Sequence, residues 1–386
     1  MQHETQVKLA RQALHLLDTK TNCLAESVVH NPVANYIDPD RLRQEQTLLF
    51  RGHPLVIGAS CQLREPGDYV TDDFSGVPVL AVRGREGAVR AFLNVCRHRG
   101  AKVVNGCGRI KRNFVCPYHA WSYDTDGRLV GIPDRASFDD LDPTEHGLIE
   151  LPAVEKYGLV WVQGTPDSEF DIDDKLAGMG PEIGAFDLAS YHHYETRVVR
   201  RKMNWKIAMD TFLEPYHFSV LHTETVAPIF FPNVYLFEPF GANLREAFLR
   251  RTIVELRDQP EAEWDFVEHT AIIYILFPNT ALVIQADHVE IWRIYPANDK
   301  VDECVMYLDF YIPEPALSDS AHGHWQRNLD LLLRVVETED FPTGETIQFG
   351  FASGAQDHVT YGRNEPSLAH FETAVSQALA AGCISK

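Results

Sequence analysis

The sequence predicts an α+β protein with a small antiparallel β domain and a larger domain built on a central antiparallel sheet flanked by helices. Three observations lead to this fold class. Short β runs separated by Gly- and Pro-containing turns fill residues 45–165. A polar, acidic stretch, Pro166–Asp174, then has the composition of a domain boundary. Strand and helix patterns follow it, so we expect one domain at 45–165 and a second at 1–44 and 166–386.

The smaller domain is preceded by two helical patterns, in residues 5–18 and Arg41–Phe50. A hairpin is predicted about Asp126-Gly127. The other predicted strands are Leu55–Ser60, Val77–Gly84, Val89–Val95, Lys111–Cys116 and Leu159–Gln163.

The larger domain begins with an alternating strand pattern, Tyr191–Lys202, and a helix, Trp205–His217. Two further helices are predicted at Trp325–Thr338 and Ser367–Ala381. The strands predicted for its sheet are Gly241–Leu256, His269–Phe277, Ala281–Ile284, His288–Tyr295 and Cys304–Ile312.

Composition excludes several classes of protein. The 386 residues are 45% hydrophobic and carry a formal net charge of −20, which argues against a nucleic-acid or anionic-membrane partner. The sequence contains no run of 18 apolar residues, so we expect no membrane span. We also expect no secretory signal, because the N-terminus lacks an apolar stretch of that kind. The seven cysteines are odd in number and mostly scattered, which indicates free thiols in a reducing cytoplasm.

The segment Met203–Thr225 has the composition of a metal site. It places Glu214, His217 and His222 among apolar and aromatic residues, and two His with one carboxylate suit non-haem Fe(II). On a regular helix the two His would lie roughly 140° apart, so either the helix ends or bulges between them or they share no metal. The alternative is a pair of histidines hydrogen-bonded inside a core helix.

A second metal motif lies in the β domain. Cys96-Arg-His98 and Cys116-Pro-Tyr-His119 each join one thiol to one imidazole at the end of a strand. A Rieske [2Fe–2S] centre needs two Cys on one iron and two His on the other, whereas zinc knuckles usually pair like with like. The spacing predicts a Rieske centre, and a structural zinc site is the alternative.

Together, the two motifs resemble the large subunits of Rieske non-haem iron oxygenases over nearly the whole chain. The family's Asn-Trp-Lys element matches Asn204-Trp205-Lys206, followed by carboxylate-x2-His-x4-His from Glu214 to His222. The resemblance implies His217 and His222 as ligands of the mononuclear iron. Its third ligand is a late carboxylate, for which we expect Asp340, with Glu339, Glu337 and Glu345 as competitors.

The resemblance also implies a role for Glu214 outside the ligand set. The matching carboxylate of the family bonds an iron-ligating His and a Rieske His of the neighbouring subunit, which implies a homotrimeric ring. Most ring-hydroxylating members carry Asp here, and some that act on quaternary amines, carnitine among them, carry Glu. The sequence leaves open whether a β subunit joins the trimer.

The function expected from the resemblance is that of a terminal oxygenase that uses O2 and electrons derived from NAD(P)H. No Gly-x-Gly-x-x-Gly follows a strand, so a separate reductase is expected, with or without a ferredoxin. Hydroxylation or cis-dihydroxylation of an aromatic substrate, in aromatic hydrocarbon catabolism, is the first expectation. The alternative within the class is demethylation or hydroxylation of a quaternary amine or methyl ether. An electron-transfer protein and a zinc-stabilised binding module are the rivals outside it.

Other candidates surround the expected iron. Asp210 lies about two helical turns before His217 and is expected, with Glu214, to take part in catalysis, with a position on the helix surface as the alternative. Arg245, Arg250 and Arg251 could hold a substrate carboxylate, although a solvated strand face is the preferred interpretation. The expected substrate pocket is apolar, and the alternative for each of its residues is ordinary core packing. The candidate wall residues are Phe212, Leu213, Ile229, Phe230, Phe277 and Leu282.

Overall fold

A computed structural model describes residues 1–384 and divides the chain into two compact units. The smaller unit comprises Gln46–Asp174 and Asp187–Ser190. The larger comprises Met1–Glu45, Lys175–Phe186 and the chain from Tyr191 onward.

The smaller unit is built from antiparallel sheets, as predicted. A five-stranded sheet has the order β10-β5-β4-β3-β6, and two three-stranded sheets have the orders β11-β12-β2 and β7-β8-β9. The strands are β2 (Pro54–Ala59), β3 (Asp68–Asp72), β4 (Val79–Arg83), β5 (Val89–Leu93), β6 (Cys107–Arg109), β7 (Phe114–Val115), β8 (Ser122–Tyr123), β9 (Leu129–Gly131), β10 (Glu150–Leu151), β11 (Ala153–Lys156) and β12 (Leu159–Gln163).

This unit continues past residue 165. Lys156 and Tyr157 bond to Asp173 at 2.5 and 2.7 Å. The guanidinium of Arg64 donates to the Ser190 carbonyl at 3.1 Å. These bonds join the acidic segment and residues 187–190 to the β unit. The domain boundary at 165 stays a prediction.

The larger unit contains a seven-stranded antiparallel sheet of order β13-β19-β18-β17-β16-β15-β14 and a two-stranded ladder, β1-β20. Its strands are β1 (Val29–Pro32), β13 (His192–Arg201), β14 (Phe230–Phe240), β15 (Asn243–Arg250), β16 (Thr270–Leu276), β17 (Thr280–Ile284), β18 (Val289–Pro296), β19 (Cys304–Ile312) and β20 (His358–Tyr361). The strands from β15 to β19 are almost wholly buried and form the core.

Helices pack against strands of this sheet. The helices of the chain are α1 (His3–Thr19), α2 (Ala34–Ile37), α3 (Pro39–Glu45), α4 (Ile172–Leu176), α5 (Gly180–Gly184), α6 (Trp205–Asp210), α7 (Phe218–Leu221), α8 (Asp319–Val335), α9 (Phe341–Ala352) and α10 (Pro366–Ile384). Across the described residues, none of these helices combines the length and the apolar character that a membrane span requires.

The structure corrects two sequence-based boundaries. The helix predicted to reach His217 ends at Asp210. It could not have continued regularly to His217, because Pro215 lacks an N–H and disfavours helical geometry at Glu214. A separate short helix, α7, then begins after His217. The strand predicted to reach Leu256 ends at Arg250, and Arg251–Asp258 form a 3₁₀ helix.

The helix predicted over Trp325–Thr338 continues beyond Thr338, so the acidic pair Glu339-Asp340 is helical. Helix α8 passes through a π-helical turn, Val336–Asp340, directly into α9. Such turns occur often at functional sites.

The cysteines without a metal motif are unbridged where the structure describes them, as predicted. They are Cys23, Cys61, Cys107 and Cys304. Cys383 lies outside the side chains that the structure describes.

Candidate metal centres

The Cys96 and Cys116 segments form two loops with the same hydrogen bonds. In the first loop, Cys96 N–H donates to the Ala101 carbonyl at 2.8 Å and Gly100 N–H donates to the Cys96 carbonyl at 2.9 Å. In the second loop, Cys116 N–H donates to Trp121 O at 2.8 Å and Ala120 N–H donates to Cys116 O at 2.9 Å. Gly100 and Ala120 both have left-handed φ, 78° and 55°.

The loops bring their imidazoles together beside two buried thiols. The rings of His98 and His119 lie 4.7 Å apart, and Trp121 stacks on His98 at 4.9 Å. Cys96 and Cys116 are both buried. Among the described residues, nothing hydrogen-bonds the buried Nδ1 of His98. Two thiols, two imidazoles and an unpaired ring nitrogen fit a Rieske cluster.

The surroundings tune these groups. Burial lowers the pKa of His98, and nearby His119 adds to the effect, so the ring is neutral, as a ligand must be. Burial raises the pKa of the Cys116 thiol, which therefore must lose a proton when it binds metal. The hydroxyl of Tyr123 lies 3.3 Å from Cys96 Sγ and accepts from Arg97 N–H at 3.0 Å. No sequence signal had marked Tyr123.

The second candidate centre follows a firmly anchored helix. The Asn204 side chain caps α6 by accepting from Lys206 N–H at 2.9 Å. The buried ammonium of Lys206 pairs with Glu45 at 2.5 Å, and the Trp205 indole donates to the same carboxylate at 2.8 Å. This anchoring fixes the start of the segment that leads to His217.

His217, His222 and Asp340 come together in space. Their ligand atoms all lie within 4.8 Å of one another, and they form the one such group found in the described chain. Asp340 Oδ1 lies 3.0 Å from His222 Nε2 and 3.4 Å from His217 Nε2. On one regular helix His217 and His222 would point in different directions, but α6 ends at Asp210, so both side chains can face the same point. Two imidazole nitrogens and one carboxylate oxygen facing each other fit a divalent iron.

A carboxylate holds the opposite nitrogen of each imidazole. Glu214 bonds His217 Nδ1 and also accepts from His217 N–H at 3.1 Å. Glu339 bonds His222 Nδ1 at 2.5 Å and accepts from the Thr225 hydroxyl at 2.8 Å. These bonds fix the tautomers with Nε2 free to act as a ligand. The sequence considered Glu339 only as a rival to Asp340, and the structure puts it on the other side of His222.

The acidic environment changes the protonation of this group when no metal is present. Burial lowers the pKa of His217, but Asp340 and Glu214 outweigh it and raise the value to about 9. Burial opposes a low pKa at Asp340, and the two imidazoles nevertheless lower it. A metal ion therefore competes with protons for these ligands.

A cavity of about 220 Å³ opens beside His217 and Asp340. Its acidic lining residues are Asp210, Glu214, Asp340 and Glu365, and no Lys or Arg is among the described residues that line it. Asp210 accepts from the Tyr36 hydroxyl at 2.9 Å, and burial, followed by the charge of Glu372, raises its pKa well above the usual range. Asp210 thus joins a polar network at this cavity.

The six expected pocket residues do not line this cavity. Phe212 packs on Trp292 at 5.5 Å and Phe230 on Phe218 at 6.0 Å, both on the sheet side of the histidines. Phe277 packs on Phe371 of α10. The remaining three are Leu213 and Leu282, which are fully buried, and Ile229, which is 39% exposed.

The three arginines differ from one another. Arg245 is buried and paired with Glu182 and Glu238, so a solvated strand face is wrong for it. Arg251 is exposed and donates to the Ala227 carbonyl at 3.1 Å. Arg250 is half-buried.

Comparison with known proteins matches both parts of the chain. The model of the ring hydroxylating alpha subunit (catalytic domain) matches residues 188–381, and the Rieske [2Fe-2S] domain matches 53–155. The carnitine monooxygenase oxygenase subunit of Escherichia coli K12 is 26% identical over 90% of this chain and 92% of its own. Chloroplastic choline monooxygenase of Spinacia oleracea is 27% identical over 91% of this chain and 78% of its own.

A solved structure supports the fold. It is a quaternary ammonium Rieske monooxygenase, described with reference to carnitine oxidation and inter-subunit electron transfer. It is 20% identical, with a TM-score of 0.77 over 94% of this chain and 97% of its own. With both family models matched in the order of the two metal motifs, the chain belongs to the alpha subunits of the Rieske non-haem iron oxygenases.

Proposed function

We propose that this terminal oxygenase is a monooxygenase of quaternary amines, which oxidises a carbon bonded to the cationic nitrogen. The observation that carries the oxygenase function is the convergence of His217, His222 and Asp340, each His held by its own carboxylate. The named relatives act on carnitine and choline. They favour the quaternary-amine alternative, and they give no support to an aromatic substrate or to aromatic hydrocarbon catabolism.

We further infer the ligand sets. Cys96, His98, Cys116 and His119 would hold the [2Fe–2S] cluster in a domain spanning 45–165. His217, His222 and Asp340 would hold the mononuclear Fe(II) in the domain formed by 1–44 and 166–386. When bound, the cluster supplies single electrons and the ferrous iron supplies the redox chemistry that activates O2.

The chain's own residues would orient the reaction. Glu214 and Glu339 keep the Nδ1 protons of the two imidazoles in place, so that both Nε2 lone pairs face one point. Asp210, bonded to Tyr36, would act as a positioning residue at the end of α6. Overall, the substrate carbon gains one oxygen atom and the second leaves as water, with two electrons and two protons consumed.

The partners follow from the same proposal. Electrons from NAD(P)H would reach this subunit through a separate reductase, with or without a ferredoxin, in the cytoplasm. The cavity beside Glu214 would receive the cluster domain of a neighbouring subunit in a homotrimer, to which a β subunit could be added. Exposed apolar side chains near that cavity, Ile347 on its lining and Phe349 at 82% exposure, are consistent with a covered surface.

A single-turnover experiment tests this function without the reductase. Anaerobic protein with its cluster reduced is mixed with O2 and carnitine, glycine betaine, choline or naphthalene, and the products are quantified. We expect a hydroxylated or demethylated product from at least one quaternary amine, with none from His217→Ala. Product from naphthalene alone would overturn the quaternary-amine proposal, and protein lacking iron and acid-labile sulfide would overturn the oxygenase function.

A further inference from the structure

Arg250 is a partly buried cation that forms no ion pair with a carboxylate of the described chain, although the charge of Asp287 acts on it at longer range. The other arginines in the buried part of this sheet are paired: Arg245 with Glu182 and Glu238, and Arg293 with Asp309 at 2.8 Å. For Arg250, no carboxylate of the described chain lies within the 4.0 Å of an ion pair. A buried charge left without a partner is costly, which makes such a site a candidate for an anionic ligand.

Uncharged groups hold the guanidinium of Arg250 in place. Its Nη2 donates to Gln285 Oε1 at 2.7 Å and its Nε to the Thr270 carbonyl at 3.3 Å. The guanidinium also lies over the Phe230 ring, 5.1 Å from the centroid. Nη1 is left with its N–H donors unused by these contacts. The group is therefore oriented and still able to bind an anion.

An aromatic surface connects Arg250 to the metal-binding histidines. Phe218 contacts the rings of His217 and His222 at 5.0 and 5.6 Å, and it packs on Phe230, over which Arg250 lies. Phe248, two residues before Arg250 and so on the same face of β15, also contacts Phe218 at 5.4 Å. We call Phe218, Phe230 and Phe248 the aromatic wall.

We propose that Arg250 binds the carboxylate of a zwitterionic quaternary amine whose ammonium group lies against the aromatic wall. This inference rests on the proposed function and names the substrate subclass within it. A quaternary nitrogen has no N–H to donate, so aromatic faces are its natural partners, whereas a guanidinium binds carboxylates through parallel hydrogen bonds. Carnitine and glycine betaine carry such a carboxylate, and choline does not.

The placement separates the two ends of the substrate. The methyl groups on nitrogen would lie towards His217 and His222, where oxidation takes place, with the carboxylate held away from that point. The cavity beside Glu214 and Asp340 has acidic walls and no basic lining residue among those described. That side of the histidines would repel a carboxylate, so the charge pattern favours the sheet side for this ligand.

Binding measurements test the proposal independently of turnover. Isothermal titration calorimetry of anaerobic wild-type protein with glycine betaine, carnitine and choline gives three dissociation constants. We expect at least one zwitterion to bind 10-fold or more tightly than choline. Arg250→Gln should weaken binding of that zwitterion roughly 10- to 100-fold, in line with a lost charged hydrogen bond, and leave choline within about 2-fold. Arg250→Lys should give an intermediate loss.

Arg257→Gln is the matched control. Arg257 is an exposed arginine of the adjoining 3₁₀ segment and is paired with Asp18. Its replacement should change the dissociation constant of neither the zwitterion nor choline. Equal weakening of both ligands in Arg250→Gln would indicate a structural role and overturn the proposal. Choline bound and oxidised by wild-type protein in preference to both zwitterions would also overturn it, while leaving the proposed function intact. Failure of all three ligands to bind and react would overturn both.

Discussion

Replacing Glu339 by Gln should weaken iron binding without removing a ligand. Glu339 accepts from His222 Nδ1 at 2.5 Å and from the Thr225 hydroxyl at 2.8 Å, so its charge serves two donors at once. Gln keeps the shape and one acceptor oxygen but loses the charge. The imidazole then becomes less basic and less firmly oriented.

The size of the effect follows from these bonds. A hydrogen bond to a charged group contributes about 1.5–3 kcal/mol, and each 1.4 kcal/mol corresponds to about a tenfold change in a binding constant. We therefore expect Fe(II) to bind Glu339→Gln about 10- to 100-fold more weakly than wild-type protein. Asp340→Ala, which removes a proposed ligand, should lose binding altogether.

The assay is an anaerobic Fe(II) titration of metal-depleted protein, with the visible absorbance of the Rieske cluster as an internal measure of folding. Glu337→Gln is the control, because Glu337 lies on the same π-helical turn but is 43% exposed and pairs with Arg201 at 3.5 Å. A surface ion pair of this kind contributes about 0–1 kcal/mol. An affinity in Glu339→Gln equal to that of Glu337→Gln would refute the assignment of Glu339 as the residue that orients His222.

Three further predictions concern stability. Gly100→Ala should lower stability by about 1–2 kcal/mol, seen as faster loss of cluster absorbance in denaturant. A Cβ at this position would meet no atom within 4 Å, so the cost comes from the left-handed backbone, whose φ is 78°. Glu246 is fully buried, and burial raises its pKa well above the usual value although the nearby Ser367 hydroxyl acts in the opposite direction. The unfolded chain therefore loses this proton at a lower pH than the folded chain, and stability falls as pH rises from ~4.3 towards the raised pKa. The free energy of unfolding of Glu246→Gln should exceed that of wild-type protein by about 1–3 kcal/mol at pH ~8 in denaturant titrations, and a lower value would contradict this. At His288, burial lowers the pKa, but Asp287 and Glu290 raise it to about 9, so its stabilisation is complete below pH ~6.5 and disappears as pH rises through ~9. The free energy of unfolding of wild-type protein should fall by up to about 3 kcal/mol over that range relative to that of His288→Asn. Parallel plots of unfolding free energy against pH for the two proteins would contradict this.

The sequence predicts most of the core sheet because its strands are long and apolar. Cys304–Ile312 has the predicted bounds, and the other predicted strands of this sheet shift by a residue or two at their ends, except that the strand predicted to reach Leu256 ends at Arg250. Strand β14 was missed because Pro232 and Pro239 interrupt its pattern. Both prolines are tolerated because β14 lies at the sheet edge, where an N–H can be absent without breaking a central ladder.

The metal motifs were visible in the sequence for a different reason. A Cys-x-His or His-x4-His spacing is a local pattern, and the chemistry of its donors limits the metal. The partners of those donors are not local. Tyr123 reaches Cys96 across 27 residues, and Glu339 reaches His222 across 117, so neither contact has a signal in spacing.

The ambiguity between Glu339 and Asp340 has a physical explanation, since both residues act on the same imidazole. Asp340 Oδ1 lies 3.0 Å from His222 Nε2, while Glu339 Oε2 lies 2.5 Å from its Nδ1. Neighbouring side chains of a regular α-helix diverge by about 100°, which helps two consecutive carboxylates to pass on either side of one ring. An adjacent acidic pair therefore suits the proposed site, with Asp340 as the proposed ligand and Glu339 holding the imidazole that faces it.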